Sequence, residues 1–343
     1  VDVSIIGSTG YGGMELVRIL HKHPNIRIAS LHSDSAAGKR LSEIYPHIGS
    51  SSDMVLRPVE SDWIIAHSDL VILATPSGVS SRLAQVFVDR NHPIIDLSGD
   101  FRFTDEALYE RWYKKQSAPC RYLKQFTYQL PEFFKSEMDR PFISNPGCYA
   151  TCVLLGLAPL VQQQLIEENI IIDAKSGLSG AGKSLSHSSH FVNAHDNMTL
   201  YKANQHQHIP EITQQLTAWS GMYDTVQFST SLIPVSRGIF CTMYVQLKDR
   251  DKAGMLHELY QAVYKEKPFV RVQPDGQLPD LKQVAGSNYC DIGLVYNKKT
   301  NVVTIVSVID NLIKGAAGQA VQNLNLFAGY PEASGLDLVA PYF

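Results

Sequence analysis

The chain opens on a short apolar run, VDVSIIG, which meets the glycine-rich segment GSTGYGG. In the following MELVRILHKH, Met14, Leu16, Val17, Ile19 and Leu20 recur at helical spacing, and IRIASLHS is a second apolar run of strand length. This order predicts a strand, a turn, a helix and a strand. SDLVILATPSG reads as a further buried strand ending in Pro-Ser-Gly, VSSRLAQVFVDRN as a helix and HPIIDLSGDF as a strand. Strands alternating with helices predict a parallel, doubly wound sheet.

After Leu157 the pattern changes. NIIIDAKSGLSG, TVQFSTSLIPV, IFCTMYVQLKD and NVVTIVSVID are β-rich runs separated by helical or loop stretches, which predicts an α+β domain with a mostly antiparallel sheet. The tail NLIKGAAGQAVQNLNLF reads as a helix. Its early Gly315, Ala316, Gly318 and Ala320 permit close backbone packing, and it is expected to return to the N-terminal domain. The expected division is 1–147 with 313–343, and 148–312.

Composition narrows the classes. A chain of 343 residues suits about two domains, and 44% hydrophobic with 18% charged residues suits a globular protein with a real core. The net charge of −3 exerts no long-range pull on nucleic acid. No unbroken apolar window is long enough to span a bilayer, and the first residues read as a strand rather than a signal-type segment. The five cysteines are odd in number, scattered and without a CxxC pair, which points to free thiols in a reducing, cytoplasmic setting.

Gly7, Gly10 and Gly13 form G-x-x-G-x-x-G directly after a strand and at the opening of a helix. Glycines there allow a tight turn and close approach of main-chain amides to a pyrophosphate, and the helix N-terminus adds partial positive charge. A glycine turn serving only packing has the same letters, and the strand–helix context favours the dinucleotide. The first domain is thus expected to be an α/β Rossmann dinucleotide-binding domain. At the end of the second strand, Asp34 sits where an acid would hold an NAD ribose hydroxyl, whereas Ser33, Ser35, Lys39 and Arg40 suit a 2′-phosphate. The residues alone leave the two open.

Cys148 follows Asn-Pro-Gly and precedes a run that reads as a helix, YATCVLLGLAPLVQQQL. A thiol at a helix start is stabilised as thiolate, the nucleophilic form, and the same amides can stabilise an oxyanion. Cys152, one turn on in the apolar run, is expected to be buried and inert. For a proton carrier, YKANQHQHIPEI offers His206 and His208, with Pro210 suited to a first helical position and Glu211 able to orient an imidazole. Two exposed imidazoles at a polar helix entry are the bland alternative. His187, His190 and His195 raise a metal reading, but no H-E-x-x-H or adjacent acid supports it, and no metal is expected.

Arg102 in LSGDFRF and Arg237 in LIPVSRGIF are candidate anion handles, or ordinary surface arginines in ion pairs. SGLSGAGKS, Ser176 to Ser184, satisfies the letters of a phosphate-binding loop but lacks its strand–helix context, and reads as a loop presenting amides and hydroxyls.

GSTGYGG, SGDFRF, YQLPE, SNPGCYAT, SGLSGAGK, HQHIPEI, PVSRGI and NLIKGAAGQAVQN run in one order over nearly the whole chain. Together they resemble the N-acetyl-γ-glutamyl-phosphate reductase branch of the semialdehyde dehydrogenase superfamily, with NPGCYAT and H-x-H-x-P-E the most specific. The resemblance implies a second domain like that of glyceraldehyde-phosphate dehydrogenase. It implies NADPH-dependent reduction of an acyl phosphate, N-acetylglutamyl 5-phosphate, to its semialdehyde through a cysteine thioester. It also implies a homodimer or homotetramer, with no nucleic-acid or membrane partner. Cys148 matches the nucleophile, His208 the acid/base, and His206 and Glu211 its support, with the choice between the two histidines open. Gly7, Thr9, Gly10, Tyr11, Gly12, Gly13, Ser33, Ser35, Ser77, Ser179, Gly180 and Asn311 are the implied cofactor residues. Arg102, Ser176, Tyr201 and Arg237 are the implied substrate residues. Gln129 and Asp34 depart from the pattern, which often has glycine and a basic residue at those places. The competing readings are the same chemistry on an N-acetyl-aminoadipyl or aspartyl phosphate, a dinucleotide-binding protein without turnover, and a histidine metal hydrolase.

Overall fold

A computed structural model describes residues 1–49, 53–133 and 141–343. The chain divides into two compact units, Val1–Gly147 with Ala316–Asp337, and Cys148–Gly315 with Leu338–Phe343. The last six residues, expected with the first unit, group with the second, where Pro341 lies against Gly286.

Along the first unit run β1 (Asp2–Ile6), α1 (Tyr11–Leu20), β2 (Arg27–His32), α2 (Leu41–Ile44), α3 (Ser61–His67), β3 (Leu70–Leu73), α4 (Ser80–Asp89), β4 (Ile94–Asp96), α5 (Glu106–Tyr113), α6 (Cys120–Leu123), β5 (Thr127–Tyr128) and β6 (Phe142–Ser144). The second unit contains α7 (Cys148–Gln162), β7 (Ile166–Ser176), α8 (Phe191–Ala194), β8 (Thr199–Tyr201), α9 (Ile209–Ser220), β9 (Gln227–Leu232), β10 (Ile239–Leu247), α10 (Leu256–Tyr264), β11 (Val270–Val272), β12 (Cys290–Asn297) and β13 (Val302–Ile309). Finally α11 (Gly318–Phe327) belongs to the first unit.

The six strands of the first unit are ordered β2-β1-β3-β4-β6-β5, and all the pairs are parallel. Parallel strands buried on both faces require continuous apolar runs, and Leu70–Leu73 and Ile94–Asp96 are buried throughout. Phe87, Phe101, Phe126 and Phe142 pack with Ile64, Val71 and Leu73 into one core cluster. The strand order turns from β2 to β3 on either side of β1, so the carboxyl ends of β1 and β3 form the switch point where such sheets bind ligands.

The seven strands of the second unit are ordered β11-β12-β13-β10-β7-β9-β8. Four of the neighbouring pairs are antiparallel, and β7–β9 and β11–β12 are parallel. The long α7 lies against β10 and β13 and is buried from Tyr149 to Val161. It contains Pro159, which has no N–H to give to the carbonyl of Leu155 one turn earlier. The Tyr264 hydroxyl donates to that carbonyl instead, and Tyr260 donates to the neighbouring Gly156 carbonyl at 2.6 Å. Two tyrosines of α10 thus satisfy the acceptors that make a proline tolerable inside a buried helix.

The tail expected to be one helix is not uniform. Ile313–Ala317 forms a π-turn, and α-helix begins at Gly318. The Gly315 N–H donates to the Asp310 carbonyl five residues back, the bond that defines such a turn.

A double-mutant cycle checks the proline account. Tyr264→Phe is expected to cost about 1–3 kcal/mol of unfolding free energy by stranding the Leu155 carbonyl. Pro159→Ala, which restores a main-chain donor, should recover part of that loss in the Tyr264→Phe background; additive effects in urea unfolding would contradict it.

Candidate active site

In the first unit the glycine loop is fixed by sterics. Gly7 has φ +86°, and a Cβ there would lie 2.5 Å from the Ala74 carbonyl oxygen. A Cβ at Gly13 would lie 2.3 Å from the Gly7 carbonyl oxygen. Gly10 caps α1, and its N–H donates to that same oxygen at 3.1 Å. A Cβ at Gly12 would reach the Leu97 side chain at 4.0 Å, and Tyr11 is partly exposed at the helix start. The hydroxyls of Thr9 and Ser33 lie 3.3 Å apart, and those of Ser33 and Ser35 3.4 Å apart. This row ends β2 where a 2′-phosphate would sit.

Asp34 is engaged elsewhere: its Oδ1 accepts from the Val59 N–H at 3.1 Å. The carboxylate ties the segment after Arg57 to the end of β2 through one of its oxygens. A cradle in which a Cβ would clash, together with three gathered hydroxyls, fits a phosphorylated dinucleotide. Ser77 lies in the loop after β3. Its carbonyl accepts from Lys115 and its hydroxyl from the Gly99 N–H. Asp100 anchors that loop by accepting from the N–H groups of Gly78 and Ser81.

Arg102 is buried, and its guanidinium donates to the carbonyls of Asn145 and Leu97, at 3.0 Å each. Asn145 is held in turn by its side-chain bonds to the Ala316 carbonyl and to Asn323 of α11. Arg102 therefore braces the strand end that leads to Cys148 by main-chain contacts that its sequence position does not reveal. Gln129 has no left-handed backbone, and its carbonyl accepts from Asn323, so the glycine often found there is not required.

In the second unit Cys148 is the first residue of α7 and is partly exposed. Gly315 makes this packing possible, because a Cβ on it would lie 2.7 Å from the Cys148 Cβ. Cys152 differs: it is fully buried, its thiol donates to the Ser307 carbonyl at 3.1 Å, and burial pushes that thiol well up.

The residue after the thiol, Tyr149, meets both imidazoles edge-on, with ring centroids 5.1 Å from His206 and 6.0 Å from His208. His208 caps α9, and Pro210 falls in the first helical positions as expected. The His208 N–H donates to His206 Nδ1 at 3.2 Å, so the neutral His206 ring carries its proton on Nε2. Burial, then the neighbouring His208 and Lys202, pushes the His206 pKa down to about 2. Glu211 is fully buried in the first turn of α9. The Tyr201 hydroxyl lies 3.0 Å from that of Tyr149, and burial raises its pKa to about 12.

A second group gathers around the loop after β7. The Ser179 hydroxyl and the Asn311 amide lie 3.0 Å apart, and Asn311 Oδ1 accepts from the Gly238 N–H at 2.8 Å. The Ser176 hydroxyl donates to the Gly177 carbonyl, and a Cβ at Gly180 would lie 2.6 Å from that hydroxyl. Arg237 pairs with buried Asp310 at 3.6 Å. The Asp310 carboxylate also accepts from the N–H groups of Gly286, Leu312 and Ile313.

The first unit thus gathers the glycine loop, Thr9, Ser33 and Ser35. The second gathers Cys148, Tyr201, His206 and His208, and separately Ser176, Ser179, Gly180, Arg237 and Asn311. Sequence reasoning missed Tyr149, Gly315 and Asp310. Only adjacency to Cys148 marked the first, and small-residue packing the second. Among the described residues no three of His, Cys, Asp and Glu are grouped as a metal set. No helix among them is long and apolar enough to cross a membrane.

Two outcomes are expected. Gly315→Ala should displace Cys148 and lower kcat by up to about a hundredfold, as small displacements of reacting groups do, read in steady-state assays. His206 resists protonation when folded but accepts a proton when unfolded below its ordinary value of 6.5. Stability should therefore fall as pH drops from 6.5 toward about 2. In that window His206→Gln should flatten the slope of urea-unfolding stability by about one proton, ~1.4 kcal/mol per pH unit. An unchanged slope would contradict the neutral buried ring.

Two family profiles match the chain: the NAD binding domain of semialdehyde dehydrogenase over residues 2–140, and its dimerisation domain over 148–311. The chain is 55% identical over its whole length to an N-acetyl-gamma-glutamyl-phosphate reductase of Listeria monocytogenes, covering all of that protein. It is 52% identical, again over both full lengths, to one of Streptococcus mutans. Among solved structures, aspartate semialdehyde dehydrogenase II of Vibrio cholerae shares the fold, with TM-score 0.72 and 16% identity over 96% of this chain and 98% of that one. With a nucleotide cradle in one unit and, in the other, a helix-start thiol whose next residue packs against two imidazoles, the chain belongs to the N-acetyl-γ-glutamyl-phosphate reductase family of semialdehyde dehydrogenases.

Proposed function

We propose that this chain reduces N-acetyl-L-glutamyl 5-phosphate to the 5-semialdehyde in arginine biosynthesis, with Cys148 as nucleophile and His208 as proton carrier. The observation that carries the reading is the placement of a partly exposed thiol at the first residue of α7, with two imidazoles against the ring of the next residue. The substrate rests on relatives at 52–55% identity that are named for it.

The chemistry needs the thiol because a carboxylate accepts hydride poorly. Cys148 Sγ attacks the acyl carbon, a C–S bond forms and the C–O bond to phosphate breaks, leaving a thioester. When bound, NADPH supplies the hydride that reduces it. The resulting oxyanion collapses, the C–S bond breaks, and aldehyde and thiolate are released. The net reaction takes up one proton, which ends on the released phosphate. The amides at the start of α7 suit the oxyanion. Gly7, Gly10 and Gly13 would cradle the pyrophosphate, and Thr9, Ser33 and Ser35 the 2′-phosphate. Arg237 suits the substrate's anionic groups, with Tyr201 and Ser176 as polar neighbours.

Between the histidines, the buried His206 stays neutral far below working pH and cannot serve as an imidazolium donor. Its Nδ1 holds the main chain of His208 instead. That division favours His208 as the proton carrier.

A homodimer or homotetramer is supported by the outer face of the larger sheet. Ile171, Tyr244, Thr304 and Val295 are successive cross-strand partners, and the apolar three are 41%, 39% and 39% exposed. A cytoplasmic setting is supported by thiols that are all free.

A reverse assay with phosphate, NADP and N-acetylglutamate semialdehyde should produce NADPH absorbance, with far less from NAD. Signal only with another aldehyde would refute the substrate. Cys148→Ser should abolish turnover while NADPH binding by fluorescence is unchanged, and full activity in that variant would refute the nucleophile. His208→Asn should remove a limb of the kcat–pH profile; removal by His206→Asn alone would move the role to His206.

A further inference from the structure

Tyr149 has no place in the chemistry above, which asks for a thiol, a proton carrier and anion handles. It is nonetheless buried at the centre of an aromatic box. Its ring meets His206 at 5.1 Å and 82°, His208 at 6.0 Å and 70°, and Phe228 of β9 at 5.8 Å and 89°. The two imidazoles meet each other at 4.7 Å and 78°. Every one of these contacts is edge-to-face, the arrangement that the ring quadrupole favours.

The geometry has a directional consequence. The outer torsion of an imidazole is broad and two-fold, so burial alone does not choose its orientation. An edge contact with a fixed ring does. Tyr149 is itself fixed at its far end, because its hydroxyl shares a hydrogen bond with that of Tyr201. Tyr201 is anchored in turn by its carbonyl, which accepts from Thr230 of β9. Burial keeps both phenols neutral, so the pair holds position without introducing charge. The main chain of Tyr149 is continuous with Cys148, so an orientation imposed on the imidazoles is imposed relative to the thiol.

We infer that Tyr149 is a positioning residue, whose ring sets the orientation of both imidazoles against the thiol of the preceding residue. The inference rests on the proposed thiol–imidazole chemistry. The titratable groups that reach the box are Cys148, Cys241, Tyr201, Lys202, His206 and His208, with Glu211 buried in the turn that His208 caps. None of the others spans both imidazoles and the nucleophile's own backbone.

The test compares Tyr149→Leu, which stays apolar but loses the ring edges, with Tyr149→Phe, which keeps them. Steady-state rates and the pH dependence of Cys148 alkylation by iodoacetamide are measured for each. Tyr149→Leu is expected to lose kcat by up to about a hundredfold with KM little changed, as misorientation of a reacting group does. Its alkylation profile should lose the limb contributed by the imidazole. Tyr149→Phe should restore most of both. A Tyr149→Leu protein with native kcat and a native alkylation profile overturns the inference, as does a Phe variant no better than Leu. If Tyr149→Leu does not fold, Phe228→Leu decides by thinning the same box. A smaller loss of kcat with the alkylation limb displaced supports the inference, and an unchanged profile overturns it. Alkylation needs no substrate, so an incorrect substrate assignment would leave that readout intact and the two failures separable.

Discussion

A buried carboxylate, Asp310, organises the ground on which the Cys148 thiol stands. It is fully enclosed, and so carries a charge or a proton that must be satisfied locally. Three main-chain N–H groups and the Arg237 guanidinium do this. The bonds to Leu312 and Ile313 fix the chain as it leaves β13, and the carbonyl of the same aspartate takes the Gly315 N–H across a π-turn. That turn brings a glycine so close to Cys148 that no side chain could replace its hydrogen. Arg237, which pairs with Asp310, and Gly315, which packs against Cys148, are thus both set by one short segment.

An accessible thiol and an enclosed one are separated by very little chain. Cys148 and Cys152 share a helix, yet one is partly exposed at its start and the other is enclosed and bonded to Ser307. Helix position and solvent access account for the difference, with no need for a special sequence around either sulfur. The same economy governs the histidines. Two residues apart, they differ in environment because one ring nitrogen of His206 is committed to the main chain of His208.

The alternation of apolar runs and helical stretches carried the first sheet and its nucleotide loop, because buried parallel strands must be continuously apolar. Cys148 and the H-x-H pair were readable as chemistry because a thiol after Pro-Gly and histidines before a helix are unusual placements. Other features depend on contacts between distant segments. Asp34 could be read as a ribose ligand or a turn residue, and the bond that its carboxylate accepts from the main chain at Val59 comes from a distant segment. Tyr149 carried no signal of its own beyond following Cys148. The tail read as a single helix because small residues suit both α and π geometry, and the five-residue bond from Gly315 to the Asp310 carbonyl has no sequence signature. The bracing by Arg102 was invisible for the same reason: the carbonyls of Asn145 and Leu97 that it binds are main-chain oxygens, which carry no sequence signature.

The claim on which the account turns is that Cys148 becomes covalently acylated before any reduction takes place. Mixing the protein with N-acetylglutamyl phosphate in the absence of NADPH, then quenching in acid, isolates that step. Intact-mass and peptide spectra should show one N-acetylglutamyl adduct on the peptide bearing Cys148, with one equivalent of phosphate released in a burst. Phosphate released only when NADPH is present, with no adduct on that peptide, would contradict it.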